Sequence, residues 1–265
     1  MLKNLRELCY TVYRSIISLY RRNPFDHAYL LYDLLYQLDN TDLYMDIDDE
    51  DKIKAYMLIW SGPRYFAVHL WGYSSLFEQV LEEIIARGEK TVIQLYYSRY
   101  LDEITDLLKK LGIRFRVETY LDMLVDEEHY KPYNPHEAVR LDPKQHVDQF
   151  IELKKSQGVR MSREYAEEII RKNRYYGVFR DSKLVAVAGR YIALPEVWVI
   201  GDVFTHPEYR GLGYGKIVTS AITRDAITSG AYAYLHVNKE NTIAVKVYEK
   251  LGYVVLRERP WIFVN

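Results

Sequence analysis

From Gly201 to Lys216 the sequence reads Gly-Asp-Val-Phe-Thr-His-Pro-Glu-Tyr-Arg-Gly-Leu-Gly-Tyr-Gly-Lys, residue types suited to gripping a phosphate. Gly211, Gly213 and Gly215 stand beside Arg210, just ahead of a segment, Ile217 to Ile227, whose apolar residues recur at helical spacing. The first amides of a helix lack intrahelical acceptors and carry the positive end of its dipole, and glycines let that backbone come close to an anion. Spacing separates the known phosphate loops. A Walker loop needs glycine five residues before its Gly-Lys pair and Ser or Thr after it, and Arg210 and Ile217 occupy those places. A dinucleotide fingerprint needs G-x-G-x-x-G, whereas Lys216 and Ile217 follow the glycines here and the next apolar run, Ala233 to Val237, does not end in an acid. What remains is R-x-x-G-x-G, read as Arg210, Gly213 and Gly215.

A second constellation lies downstream. Asn241, Ala244, Tyr248 and the Gly252-Tyr253 pair spell N-x-x-A-x-x-x-Y-x-x-x-G-Y, a helix closed by a C-terminal glycine. Tyr248 follows Asn241 by about two helical turns, so both side chains share one face.

These two motifs, in this order, resemble the GNAT superfamily of acyl-CoA-dependent N-acyltransferases over approximately residues 137 to 265. The resemblance implies an α/β (α+β) fold with a mixed central sheet, flanking helices and parallel strands that splay at the cofactor site. It implies acetyl-CoA as co-substrate and no metal. Arg210, Gly211, Leu212, Gly213, Tyr214, Gly215 and Lys216 would hold the pyrophosphate. Val203, Phe204 and Thr205 would line the pantetheine arm, with Asn241, Ala244 and Tyr248 across from them. An amine would attack the thioester directly in a ternary complex, since no nucleophile elbow is present and the one cysteine lies far from the motifs. Tyr248 is the expected acid for the departing thiolate. A backbone N–H near Phe204 would steady the developing oxyanion. Glu196, Asp202 and His236 are the candidate bases; strand alternation sends Asp202 and Val203 to opposite faces, and the base stays unassigned. A non-catalytic acyl-CoA sensor would need the same loop and no base.

The elements that must position these residues are legible in outline. Val197 to Phe204 is β-branched and aromatic, as a buried strand should be, and is preceded by a helix pair within 142–173 and a hairpin through Tyr176–Phe179 and Leu184–Ala188. Prolines and turn formers concentrate at Tyr130-Lys-Pro132-Tyr-Asn-Pro135, which predicts two domains, 1–130 and 136–265. The first half reads as helices over Leu2–Tyr20 and Pro24–Gln37, a strand Ile53–Trp60, a helix Gly72–Ala86 and a strand Thr91–Leu95. Laid without a gap on Leu235–Tyr253, Leu95–Ile113 puts Leu107-Leu-Lys-Lys-Leu-Gly112 over Val247-Tyr-Glu-Lys-Leu-Gly252. Leu101 and Leu108 stand where Asn241 and Tyr248 would, and Val68–Gly72 lacks the arginine and glycine spacing. The N-terminal half therefore reads as a degenerate GNAT-like copy, without cofactor groups, suited to packing or to covering the acceptor site.

Lysines and arginines number 36 against 37 aspartates and glutamates, a balance without the basic footprint of a nucleic-acid binder. Cys9, the lone cysteine, allows no internal disulfide and suits a reducing cytoplasm. No apolar run approaches the roughly 20 residues of a membrane span. The acidic run Asp46-Ile-Asp-Asp-Glu-Asp51 lacks the glycine and distant glutamate of a calcium loop and reads as a solvated hairpin turn. The expected partners are acetyl-CoA and an amine, with the protein a monomer or homodimer.

Overall fold

The computed structural model describes residues 2–4, 10–50, 52–62 and 65–264; Cys9 and Asp51 lie outside them. The chain divides into two compact units: Met1–Leu121 with Asn238–Glu240 and Arg257–Asn265, and Asp122–Val237 with Asn241–Leu256. The division differs from the expected break at 130–136, because the chain's last strand returns to the first unit.

In that first unit, β1 (Leu2–Asn4) pairs antiparallel with β2 (Thr41–Ile47), so the expected helix from Leu2 is a strand over its first three residues; residues 5–9 lie outside the described residues, and α1 is Tyr10–Arg22. Helix α2, Pro24–Tyr36, is capped by the Asn23 side chain and has proline at its start. The sheet continues through β3 (Ile53–Ser61), β4 (Phe66–Trp71) and β5 (Thr91–Leu95), with α3 (Glu78–Ala86) as crossover between the parallel pair β4 and β5. The expected helix from Gly72 is shorter, because Ser75–Phe77 forms a 3₁₀ turn. Asp48 accepts from the N–H groups of Glu50 and Lys52 at 3.0 and 2.8 Å, making the acidic run the β2–β3 turn. Helix α4 (Leu101–Lys110) and β6 (Phe115–Val125) follow.

The second unit carries β7 (Val139–Arg140), α5 (Val147–Ser156), α6 (Arg163–Asn173), β8 (Tyr176–Arg180), β9 (Lys183–Ala193), β10 (Val197–Thr205), α7 (Tyr214–Thr228), β11 (Tyr232–Asn238) and α8 (Thr242–Lys250). Strands β7 to β10 pair antiparallel in sequence, whereas β11 is parallel to β10. Phe150, Leu153, Ala166 and Ile170 from α5 and α6 pack on Leu184, Val187 and Phe204 of the sheet. Strand β12 (Val254–Val264) ends the chain, and its residues Trp261–Val264 pair antiparallel with Gln94–Thr91 of β5 in the first unit.

The two units repeat each other at the aligned positions. Parallel pairing ends at Leu70↔Leu95 in one and Ile200↔Leu235 in the other. Each following helix closes alike: Ile113 N–H reaches Leu108 O and Gly112 N–H reaches Lys109 O, as Tyr253 reaches Tyr248 and Gly252 reaches Glu249. Gly112 and Gly252 both have positive φ, the left-handed stop that favours glycine. In the first unit the residue of β4 that follows the last parallel pair is Trp71, packed on the neighbouring β3 and α2. Trp71 stacks on Tyr56 at 5.5 Å and meets His27 edge-on at 5.0 Å.

Candidate active site

β10 and β11 hold together only from Val197↔Tyr232 to Ile200↔Leu235. Beyond that pair β10 runs on to Thr205 and β11 to Asn238 with no register between them, so two parallel strands part, as expected of the fold. The parting coincides with a bulge. Between Gly201↔Gly189 and Phe204↔Val187, β10 spends Asp202 and Val203 against Ala188 alone. Asp202 has φ +52°, a left-handed residue inside a strand.

The glycine turn follows at once. Gly211 and Gly213 have φ +78° and +85°, and Gly213 is the N-cap of α7. The first helical amide to find a main-chain acceptor is Ile217, bonded to Gly213 O at 3.1 Å; among the described residues no main-chain acceptor meets the N–H groups of Leu212 to Lys216. A row of unengaged amides at the positive end of a helix fits a diphosphate. The turn is cramped as well as open. A Cβ on Gly213 would lie 3.4 Å from the Tyr133 hydroxyl, and one on Gly215 would lie 3.2 Å from Thr205 Oγ1. Arg210 donates from Nε to Thr205 O at 3.3 Å, tying the turn back to the strand end. Leu212 is exposed. Lys216 lies with Nζ 3.3 Å over the ring of Tyr133, whose N–H donates to Ser220 Oγ at 2.8 Å. The Tyr214 hydroxyl accepts from Arg180 Nε at 3.0 Å. The proline-rich segment, read from sequence as the domain boundary, forms part of the turn's surroundings through Tyr133.

The other expected site residues fall in different places. Phe204 is 9% exposed and belongs to the core against α5 and α6. His206 N–H donates to Val185 O at 2.9 Å, so antiparallel alternation turns the Phe204 N–H toward β9 and that of Thr205 away from it. Of the main-chain donors near Phe204, those of Val203, in the bulge, and Thr205 are better placed for the open side than that of Phe204 itself. Asn241 is exposed and its side chain accepts from Ala244 N–H at 3.2 Å, capping α8. Tyr248 is buried, and desolvation pushes its phenol up to about 12, so it remains a proton donor at neutral pH. Its ring centroid lies 5.9 Å from that of Tyr253, whose hydroxyl meets Thr223 Oγ1 of α7 at 2.7 Å.

The three candidate bases are not brought together. Glu196 sits exposed at the start of β10 and is not carried to the parting, since the rise along the strand to Gly201 is roughly 17 Å. Asp202 lies at the bulge, but its carboxylate is engaged by Lys154 Nζ and, at 2.6 Å, by the Tyr175 hydroxyl. His236 directly follows the last paired residue of β11, and its Nδ1 is 2.6 Å from Oδ1 of the fully buried Asp122. Tyr133, Lys154, Tyr175 and Asp122 carry no motif that would have marked them in the sequence. Among the described residues no group of histidine, cysteine and acid side chains is arranged to hold a metal, and no helix is long and apolar enough to cross a membrane.

Residues 142–253 match the acetyltransferase (GNAT) family. A mycothiol acetyltransferase of Paenarthrobacter aurescens (strain TC1) is 38% identical over 77 residues, a stretch that spans 29% of this chain and only 23% of that protein. Among solved structures, a Drosophila protein superposes with TM-score 0.74 at 13% identity, covering 100% of this chain and 98% of its own. A tandem GNAT protein from the clavulanic acid biosynthesis pathway gives TM-score 0.63 at 12% identity over 100% and 98% of the two chains. A GCN5-related N-acetyltransferase-like protein from Streptococcus suis 89/1591 gives 0.62 at 16% identity over 96% and 100%. At such identities the shared property is the fold. The chain shares its fold with a tandem GNAT protein, and within it residues 142–253 are the part similar to the GNAT acetyltransferase family.

Proposed function

We propose that the chain is an acyl-CoA-dependent N-acyltransferase that moves an acetyl group from acetyl-CoA to an amine by direct attack in a ternary complex. The observation that carries this reading is the parting of β10 and β11 beside a glycine-turned helix start whose first amides are unengaged. The acetyl transfer named for the Paenarthrobacter relative agrees with it. In this reading residues 136–265 are the catalytic half and 1–130 a copy without cofactor groups.

Bound acetyl-CoA supplies an activated thioester. The amides of Gly211 to Lys216, with Arg210, hold its diphosphate, and the open edges of Val203–Thr205 and His236–Val237 take the pantetheine arm as an added strand. Main-chain N–H groups at Val203 and Thr205 face the charge that develops on the thioester oxygen. His236, with its tautomer fixed by Asp122, takes the proton from the ammonium form of the acceptor. Tyr248 returns a proton to the departing sulfur. The deciding experiment is calorimetry of the intact protein with coenzyme A, followed by thiol release from acetyl-CoA across an amine panel. No heat with coenzyme A or its thioesters would end the proposal.

A further inference from the structure

The bulge that opens the site is itself unusual in what holds it. A bulge residue in the left-handed region is ordinarily glycine, because any side chain pays a steric penalty there. Here it is Asp202, flanked by Gly201, which has the freedom and does not use it. The carboxylate has two partners, and both come from buried side chains. Lys154 of α5 is 2% exposed and forms an ion pair with Asp202 Oδ1, donating also to Gln157 Oε1 at 2.9 Å. Tyr175, likewise 2% exposed, donates its hydroxyl to Asp202 Oδ2 at 2.6 Å.

The sequence around the bulge is cut to admit this arrangement. Gly189, the neighbour of Ala188 on β9, is where the Tyr175 ring lies: a Cβ there would come within 2.7 Å of the ring. The ring is braced on its other side by Phe150 of α5, edge-on at 4.9 Å. Burial and the adjacent Asp202 both push the Tyr175 phenol up, so it is a hydrogen-bond donor at every working pH. Burying a lysine is costly unless it is paired and hydrogen-bonded, and a left-handed aspartate is costly unless its surroundings over-determine it. The two costs, the burial of Lys154 and the left-handed φ of Asp202, meet in one ion pair, next to the place where β10 leaves β11.

We propose that Lys154 and Tyr175 are positioning residues. They clamp the Asp202 carboxylate, fix its left-handed backbone and thereby aim the following amide, Val203 N–H, into the gap between β10 and β11. This rests on the acyl-CoA reading for its consequence, but not for its geometry. Asp202 is then an anchor and not the base. The bulge breaks the regular pairing of β10 with β9 at this point.

Two arms test the clamp and the reading separately. In the ligand-free protein labelled uniformly with ¹⁵N, Tyr175→Phe and Lys154→Met should each move the Val203 amide resonance, and the HN–Hα coupling constant of Asp202 should report loss of its positive φ. Lys154→Arg should keep both near the wild-type values. An unmoved Val203 resonance in both disruptive variants overturns the clamp whatever the protein binds. If Lys154→Met does not fold, Tyr175→Phe, which removes one hydroxyl, carries the test alone. In the second arm, acetyl-CoA should bind Tyr175→Phe about tenfold more weakly, while adenosine 3′-phosphate 5′-diphosphate, which reaches only the glycine turn, should change less than about twofold. Equal losses for both probes overturn the proposed role of Val203. Wild-type protein that binds neither probe refutes the acyl-CoA reading and leaves the resonance result to judge the clamp.

Discussion

At the scale of single residues, the site rests on groups whose chemistry follows from their surroundings. Gly213 caps α7 with φ +85°, a backbone conformation that strains any side chain, and a Cβ there would stand 3.4 Å from the Tyr133 hydroxyl. Gly213→Val is expected to cut coenzyme A affinity by a hundredfold or more, on the order of 3 kcal/mol; calorimetry checks it, and retained affinity would remove the turn from the cofactor site. Tyr248 is a donor held neutral by burial. Tyr248→Phe should lower kcat by about ten- to a hundredfold with coenzyme A affinity intact, a general-acid signature read from steady-state rates beside calorimetry. His236 follows the end of the β10–β11 register and leans on buried Asp122. His236→Gln should lower kcat/KM by roughly 10²-fold; a rate within twofold of wild type would return the base to an open question. Arg210, the glycines, Asn241 and Tyr248 were marked by sequence spacing. Asp122, Lys154, Tyr133 and Tyr175 were not, because each acts through a partner more than forty positions away or through a side chain that no local pattern distinguishes from core.

At the scale of elements, α2 shows how burial writes a pH response into a helix. Asp33 is 5% exposed, and desolvation raises its carboxyl from 3.8 to about 7. The folded state therefore keeps a proton that the unfolded chain loses. That stability is fully present below about pH 4 and is lost as pH rises to 7, by at most about 4 kcal/mol. His27, on the same helix, is lowered to about 4, chiefly by burial. Its contribution has the opposite course: it is present above pH 6.5 and lost as the medium is acidified toward 4. The two slopes oppose each other between about pH 4 and 6.5. Asp33→Asn should unmask the histidine, so that urea midpoints rise with pH across that window and exceed wild type at pH 8. A flat profile in the variant would contradict the burial argument. Element boundaries were mostly legible from periodicity and caps, as at Pro24 and Gly252. The N-terminal segment was misread because Leu2–Asn4 carries too few residues to show a strand period, and only pairing with Asp46–Tyr44 makes it one.

At the scale of the whole molecule, the chain is not two beads in sequence. Arg257–Asn265 belong with the N-terminal unit. There Ile262 and Val264 are buried in the core with Ile93 and Leu95, and Arg257 pairs with Asp26 of α2. Removing residues 257–265 strips β5 of a partner and gives up two buried aliphatic side chains worth roughly 1.5–3 kcal/mol each. Against a total stability of about 5–15 kcal/mol, that loss should unfold or loosen the N-terminal unit. Hydrogen exchange at Thr91–Leu95 is the direct measurement, and full protection in the shortened chain would refute the assignment. The duplication was visible from Leu-Gly helix ends alone. Its depth appears only in three dimensions, where aligned residues share parallel-pair endings and helix-closing bonds.

By itself the sequence determined the glycine turn, the closing motif of α8 and the order of elements around them, since each is a matter of local spacing and backbone propensity. The tertiary structure decided which candidates meet. It placed Glu196 a strand's length from the gap, engaged Asp202 with Lys154 and Tyr175, set His236 against Asp122, and returned the last strand to the first unit. The physical reason is common to all four. Hydrogen bonds and charge pairs within a fold join residues far apart in the chain, so no reading of neighbours along the sequence reaches them.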